Sequence, residues 1–174
     1  MRLCRAIYIG ESMQTIKLKK KAYLLEGYSI VGPLEGKGPL KDYFDYILKD
    51  DSLKESSFEK SERKLLQDIV IGAINKSELK ISDIDFFFGG DLLNQIVSSS
   101  YTARELNLPF IGLYSACATM AEALALSALF IDCGLCNNVV AATCTHFSSA
   151  ERQYRFPLEF ANQRPPTAQW TITG

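Results

Sequence analysis

Between residues 85 and 143 the chain alternates apolar runs with stretches of helical spacing, and few folds accommodate that pattern. Asp85-Phe-Phe-Phe-Gly-Gly90 is a run of aromatics stopped by paired glycines, which predicts a buried strand with a tight exit. Residues 94–106 predict a helix closed by Asn107 and Pro109, residues 110–114 a second strand, 119–132 a central helix and 139–143 a third strand. Strand, helix, strand, helix, strand is the signature of an α/β sheet with parallel neighbours.

The central helix also passes a membrane test. Residues 116–131 are almost uncharged, but they number only 16, contain Glu122 and are built on alanine. A spanning helix needs about 20 strongly apolar residues. A helix apolar on every side and buried among other elements is the expectation.

Upstream, residues 57–76 predict the clearest helix, with Ser57 as its cap, Glu59 and Glu62 in register with the helix dipole, and Leu65, Leu66, Ile69, Val70 and Ala73 as its core stripe. Residues 42–48 predict a short helix and residues 22–25 a first strand. Three glycines and two prolines make residues 31–40 a loop. Lys17, Lys19, Lys20 and Lys21 belong to an N-terminal arm over residues 1–21, read as solvated, with a lipid-headgroup contact as the alternative. Residues 151–167 read as an ordered loop or cap, and 169–173 as a last strand. A chain ending on a strand with no closing helix looks cut.

Charge is distributed unevenly. The 174 residues carry a net charge of -1, which argues against a nucleic-acid partner. Residues 1–80 hold 15 Lys or Arg and 12 Asp or Glu, whereas residues 81–174 hold 4 and 8, with no lysine after Lys80. Lysine is among the residues least often buried. The second half is therefore expected to be largely buried, or covered by further chain or a second subunit. Nothing resembles a secretory signal, and five cysteines are expected to be reduced thiols.

Cys117 is the leading candidate for chemistry. It follows a predicted strand through Ser115-Ala116 and opens the central helix, an elbow that presents a side chain at the mouth of a sheet. A helix start favours thiolate, and the small neighbours Ala116, Ala118 and Thr119 leave room for a ligand. Free cysteine is also among the most buried residue types, and spacing alone leaves both readings open. His146, the single histidine, stands just past the third strand, either as partner of an activated cysteine or as a hydrogen-bonded structural residue. Cys133-Gly-Leu-Cys136 has thiol–disulfide spacing but falls at a helix end, with Gly134 as the expected cap, so it reads as an accidental pair. One histidine and scattered cysteines make no zinc site, and no metal ligand is assigned. Arg152, Arg155 and Arg164 either grip a small dianion or pair with Glu151 and Glu159.

Together these residues resemble a known family. The elbow is similar to the N-terminal nucleophile turn of the thiolase superfamily. Five stretches resemble the stage V sporulation protein AD family more closely: Val31-Gly-Pro-Leu-Glu-Gly-Lys-Gly-Pro-Leu40, Gly90-Asp-Leu-Leu-Asn-Gln95, Ala116-Cys-Ala-Thr-Met120, Ala150-Glu-Arg-Gln-Tyr-Arg-Phe-Pro157 and Asn162-Gln-Arg-Pro-Pro-Thr-Ala168. The resemblance implies the N-terminal half of a thiolase-like α/β fold over residues 22–174, a mixed sheet with a buried central helix, and a second pseudo-symmetric half that this chain lacks. It implies non-enzymatic binding of dipicolinate, or of its calcium chelate, in support of uptake into the forespore. The implied setting is peripheral, at the forespore or spore inner membrane beside the membrane proteins of the same operon. No cofactor is implied, and calcium enters only with the ligand. The matching pocket positions are Cys117, Val139 and Cys144, to which His146, Arg155 and Arg164 are added as ligand-binding candidates. The family commonly has serine where this chain has Ala118 and Cys144. The alternative is a thiolase- or ketoacyl-synthase-like acyltransferase with Cys117 as nucleophile. An isolated half with a charge-poor surface is expected to dimerise or to dissolve poorly.

Overall fold

The computed structural model describes residues 15–150. The expected strand at 169–173 and Arg152, Arg155 and Arg164 lie outside the described residues. Strands β1 (Ile30–Val31) and β2 (Tyr46–Ile47) form a small parallel pair. The principal sheet comprises β3 (Phe86–Gly90), β4 (Phe110–Gly112) and β5 (Val139–Thr143), all parallel, in the order β4-β3-β5. Its register pairs Phe87 with Phe110 on one side and with Val140 on the other.

Helix α1 (Phe58–Lys76) starts where its sequence says it should, with the Ser57 side chain accepting from the Lys60 N–H at 3.3 Å. Leu65, Leu66, Val70 and Ile74 turn inwards, and together with α2 (Val97–Leu106) they cover one face of the sheet over Phe87, Val140 and Ala142. Helix α3 (Thr119–Asp132) covers the opposite face, where Phe130 stands edge-on to Phe86 and Phe88. The result is a doubly wound sheet, with crossovers β3→β4 through α2 and β4→β5 through α3. Its chemistry is therefore expected in the crevice outside the carboxyl ends of the strands.

Gly90 shows why the central strand ends in glycine. A Cβ there would sit 2.0 Å from the Leu113 carbonyl oxygen, so only a bare Cα lets the two strand ends close up. The far end of α3 closes as its sequence predicts: Gly134 takes φ 71°, its N–H donates to Ile131 O and that of Leu135 to Phe130 O. The backbone N–H of Lys20 is fastened to the Asp132 carboxylate at the same end.

Three local expectations change. Residues 22–25 are extended but belong to no strand. Tyr23, Leu24 and Leu25 stand exposed along a groove of about 430 Å³ between this segment and β5. Residues 42–48 form no helix: a single 3-10 turn (Lys41–Tyr43) leads into β2, because Asp45 bonds the Ser29 N–H and hydroxyl and draws the segment beside β1. The second helix begins at Val97, since Gln95 and Ile96 adopt left-handed φ values of 61° and 47° and form a separate turn (Asn94–Ile96). Helix α3 is also less enclosed than its composition suggests, with only Thr119, Ala123 and Ser127 fully buried along it.

Candidate functional site

Three chain segments meet the carboxyl end of the sheet: the turn after β3, the elbow after β4 and the connection from β5 to helix α4 (Phe147–Ala150). The elbow is a 3-10 turn (Ala116–Ala118) placed just before α3, so Cys117 stands in the lead-in to that helix rather than inside it. Ala116 is held at φ 48°, a left-handed conformation that costs an L-residue roughly 1–2 kcal/mol. Thr119 holds the turn. Its buried hydroxyl accepts from the Ser115 N–H at 3.1 Å and donates to Ala116 O at 2.9 Å. The Ser115 hydroxyl donates to Glu122. The outcome is an exposed Cys117 flanked by exposed Ala116 and Ala118. Backbone strain of this kind persists where the surroundings fix it, and such residues cluster at functional sites.

The connection after β5 is organised by a residue that the sequence reading placed elsewhere. Glu62 is fully buried, and its Oε2 accepts from the His146 N–H at 2.9 Å and from the Ser149 hydroxyl. Its backbone carbonyl accepts from the Cys144 thiol at 3.3 Å. Its Oε1 has no hydrogen-bond partner among the described residues, and neither has the buried Ser98 hydroxyl of α2. Burial pushes the Glu62 pKa up to about 7 and the nearby Asp91 charge adds to the rise, while the Ser149 and His146 hydrogen bonds and the neighbouring Ser98 hydroxyl pull against it. Asp91 in turn accepts from the Ser99 N–H at 2.7 Å, the Ser99 hydroxyl at 2.6 Å and the Leu93 N–H at 3.0 Å, and so clamps the first turn of α2. Glu62 was legible as a core position, because it falls on the stripe that continues through Leu66 and Val70. Its charge directed attention to the helix dipole instead.

The sequence candidates separate into groups. Cys144 and His146 come together, but each is engaged by its own partners. Burial raises the Cys144 thiol well above its ordinary pKa, with the Glu62 and Asp91 charges acting in the same direction. The His146 ring stacks on Phe58, its Nε2 lies 2.6 Å from Asp51 O, and its Nδ1 accepts from the Ser148 N–H at 3.1 Å. Those partners fix the Nε2–H tautomer. Val139 begins β5, whereas Cys144 follows its end, a separation of about 16 Å at the usual strand rise of about 3.3 Å per residue. Val139 packs towards α3 and lines the groove beside residues 22–28, so it does not share the elbow's mouth. Cys133 is exposed and Cys136 buried at the C-terminal end of α3, where no helix start favours thiolate. Burial, and then Asp85, raise the Cys136 pKa. Among the described residues no cluster of His, Cys, Asp and Glu is arranged to hold a metal ion.

The parallel order, the helices on both faces and the exposed thiol on a strained turn define a doubly wound α/β protein with its candidate site at the carboxyl edge of the sheet. Residues 12–174 match the stage V sporulation protein AD family. The chain is 38% identical over 161 residues to the stage V sporulation protein AD of Bacillus subtilis (strain 168), an alignment covering 92% of this chain and 48% of that protein. The chain belongs to the stage V sporulation protein AD family, a family of sporulation proteins, and it spans about half the length of the relative it matches.

Proposed function

We propose that this chain contributes the N-terminal, thiolase-like part of a non-enzymatic protein that binds dipicolinate, or its calcium chelate, and supports its uptake into the forespore. The observation that carries this reading is the division of labour at the carboxyl end. Cys117 is presented on an open turn between small residues, while His146, which an acyl-transfer mechanism would recruit as base, has both ring nitrogens committed elsewhere. A displayed position whose one candidate histidine among the described residues is engaged elsewhere suits reversible binding better than covalent catalysis. Arg155 and Arg164, a short distance along the chain from α4, are suited to the ligand's two carboxylates by their forked, permanently charged geometry. Calcium, in this reading, arrives as part of the ligand.

The proposal extends to setting. No helix among the described residues is long and apolar enough to cross a membrane. A peripheral place at the forespore or inner spore membrane, beside membrane proteins of the same operon, is part of the proposal.

Calorimetry of the chain with dipicolinate, with and without calcium, tests binding. Intact-mass measurement after incubation with acyl-CoA tests the acyltransferase alternative. Saturable, reversible binding without a mass change is expected. A stable acyl adduct on Cys117 would sink the binding reading.

A further inference from the structure

Glu62 is a buried carboxyl for which the proposed binding has no use, yet it bonds one of the three segments that form the mouth and neighbours the helix that follows another. From α1 it reaches the β5–α4 connection through the His146 N–H and the Ser149 hydroxyl, and it lies near the start of α2 at Ser98. The titratable groups facing it are Asp91 from the β3–α2 turn and Cys144 and His146 from the β5–α4 connection; α4 itself offers only the Ser149 hydroxyl. The ion pairs among the described residues leave Glu62 and Asp91 without a lysine or arginine. Two buried carboxylates facing each other without a counter-ion are costly when both are ionised.

Two unpaired atoms point to the arrangement that removes this cost. Glu62 Oε1 and Ser98 Oγ are both buried and both lack a partner. A neutral carboxylic acid has one O–H to donate, and a serine hydroxyl can accept it. The Ser98 hydroxyl completes this pair in either state, donating to an ionised Oε1 or accepting from a protonated one, so it is burial, the Asp91 charge and the missing counter-ion that favour the proton on Oε1. Oε2 is left free to accept from His146 and Ser149.

We propose that Glu62 is the proton-carrying positioning residue of this mouth: protonated on Oε1, it locks the first turn of α2, which Asp91 clamps, to the β5–α4 connection, and release of that proton to solvent loosens both. For its bearing on ligand, this inference rests on the binding role proposed above. The proton device itself does not. Asp91 follows Gly90, which is packed against Leu113 and the Thr119 methyl, and Thr119 holds the elbow. Loosening around Asp91 thus reaches the turn that presents Cys117 through a few direct contacts.

The test uses the intact chain and the Glu62→Gln variant, which stays neutral at every pH. Carbon-detected NMR, assigned through bonds, follows the Glu62 carboxyl from pH 4 to pH 9. Amide exchange, corrected for its intrinsic pH dependence, follows Ser99 and His146. The expected result is a carboxyl still protonated at pH 6 and ionised by pH 8, with protection at both amides falling by about tenfold across that step and unchanged in the Gln variant. A Glu62 carboxyl already ionised at pH 6, or amide protection that is flat in the unsubstituted chain, overturns the proposal. If the Gln variant fails to fold, the carboxyl titration and amide protection of the unsubstituted chain decide the matter. Calorimetry with dipicolinate at pH 6 and pH 8 adds a separate arm, in which affinity is expected to drop at the higher pH. Equal affinity at both pH values overturns the coupling to ligand. Absence of binding at either pH, with the titration and exchange changes intact, sinks the binding role and leaves the proton device standing.

Discussion

On one face of the sheet, α1 and α2 close over Phe87, Val140 and Ala142, and the helix stripe there is fully enclosed: Leu66 and Val70 are 0% exposed. On the other face α3 packs Ala123 and Phe130 against Phe86 and Phe88, yet Met120 and Leu124 remain 39% and 41% exposed. The enclosed helix is the amphipathic one, and the open helix is apolar almost all round. Enclosure thus follows the neighbours each helix has, not its hydrophobicity. Composition states how much burial an element suits, and only the packing states how much it receives. The lysine-poor half of the chain suits more cover than the described residues supply.

The contrast can be broken most forcefully at Leu66. Replacing it with alanine should cost about 2–5 kcal/mol in denaturant unfolding, because the α1 face has no slack to fill the void. The matched Leu124→Ala change on α3 should cost far less, and equal losses would erase the distinction between the faces.

The next effect concerns pH. The folded pKa of Glu62, about 7, lies above its ordinary value of 4.5. Its contribution is therefore fully present below about pH 4.5 and is lost as pH rises through about 7. Between those values the unfolded chain has released a proton that the folded chain keeps, so stability falls with rising pH, by about 3 kcal/mol in all. Unfolding curves for the Glu62→Gln variant should lack this decline; a decline of the same size would move its origin to another group.

A smaller change is expected at the start of α1. Ser57→Ala removes the side-chain acceptor for the Lys60 N–H, and melting should report a loss of about 1 kcal/mol. The smallest effect on stability, within about 0.5 kcal/mol, belongs to Leu124→Lys. Light scattering should nevertheless show that this variant associates less than the unsubstituted chain. Unchanged scattering would locate any self-association elsewhere.

The parts of the fold that the sequence made legible are those set by local rules. Ser57 and the spacing of Leu65, Leu66 and Val70 announce α1, while the Phe86–Gly90 run and Gly134 announce a strand and a helix end. Residues 22–25 and 42–48 misled for one reason. Strand formation depends on a partner at long range, and the partner of residues 46–47 is β1, whereas residues 22–25 pair with no strand among the described residues. At the candidate site, the elbow was legible because strand, small residues and helix are contiguous. The Glu62 network was not, since it joins residues more than 80 positions apart and a glutamate early in a helix has a simpler local explanation. Val139 and Cys144 are close in sequence, but the strand between them sends them to opposite ends and opposite faces of the sheet.

The bare Cα of Gly90 against the Leu113 carbonyl has a consequence for how such a protein can diversify. The spacing between the central strand and the elbow is gauged by main chain alone, so no drift in side-chain size can widen or narrow it by small steps. Changes in the shape of the crevice must come from the loops that rim it, while the gauge beneath them stays constant.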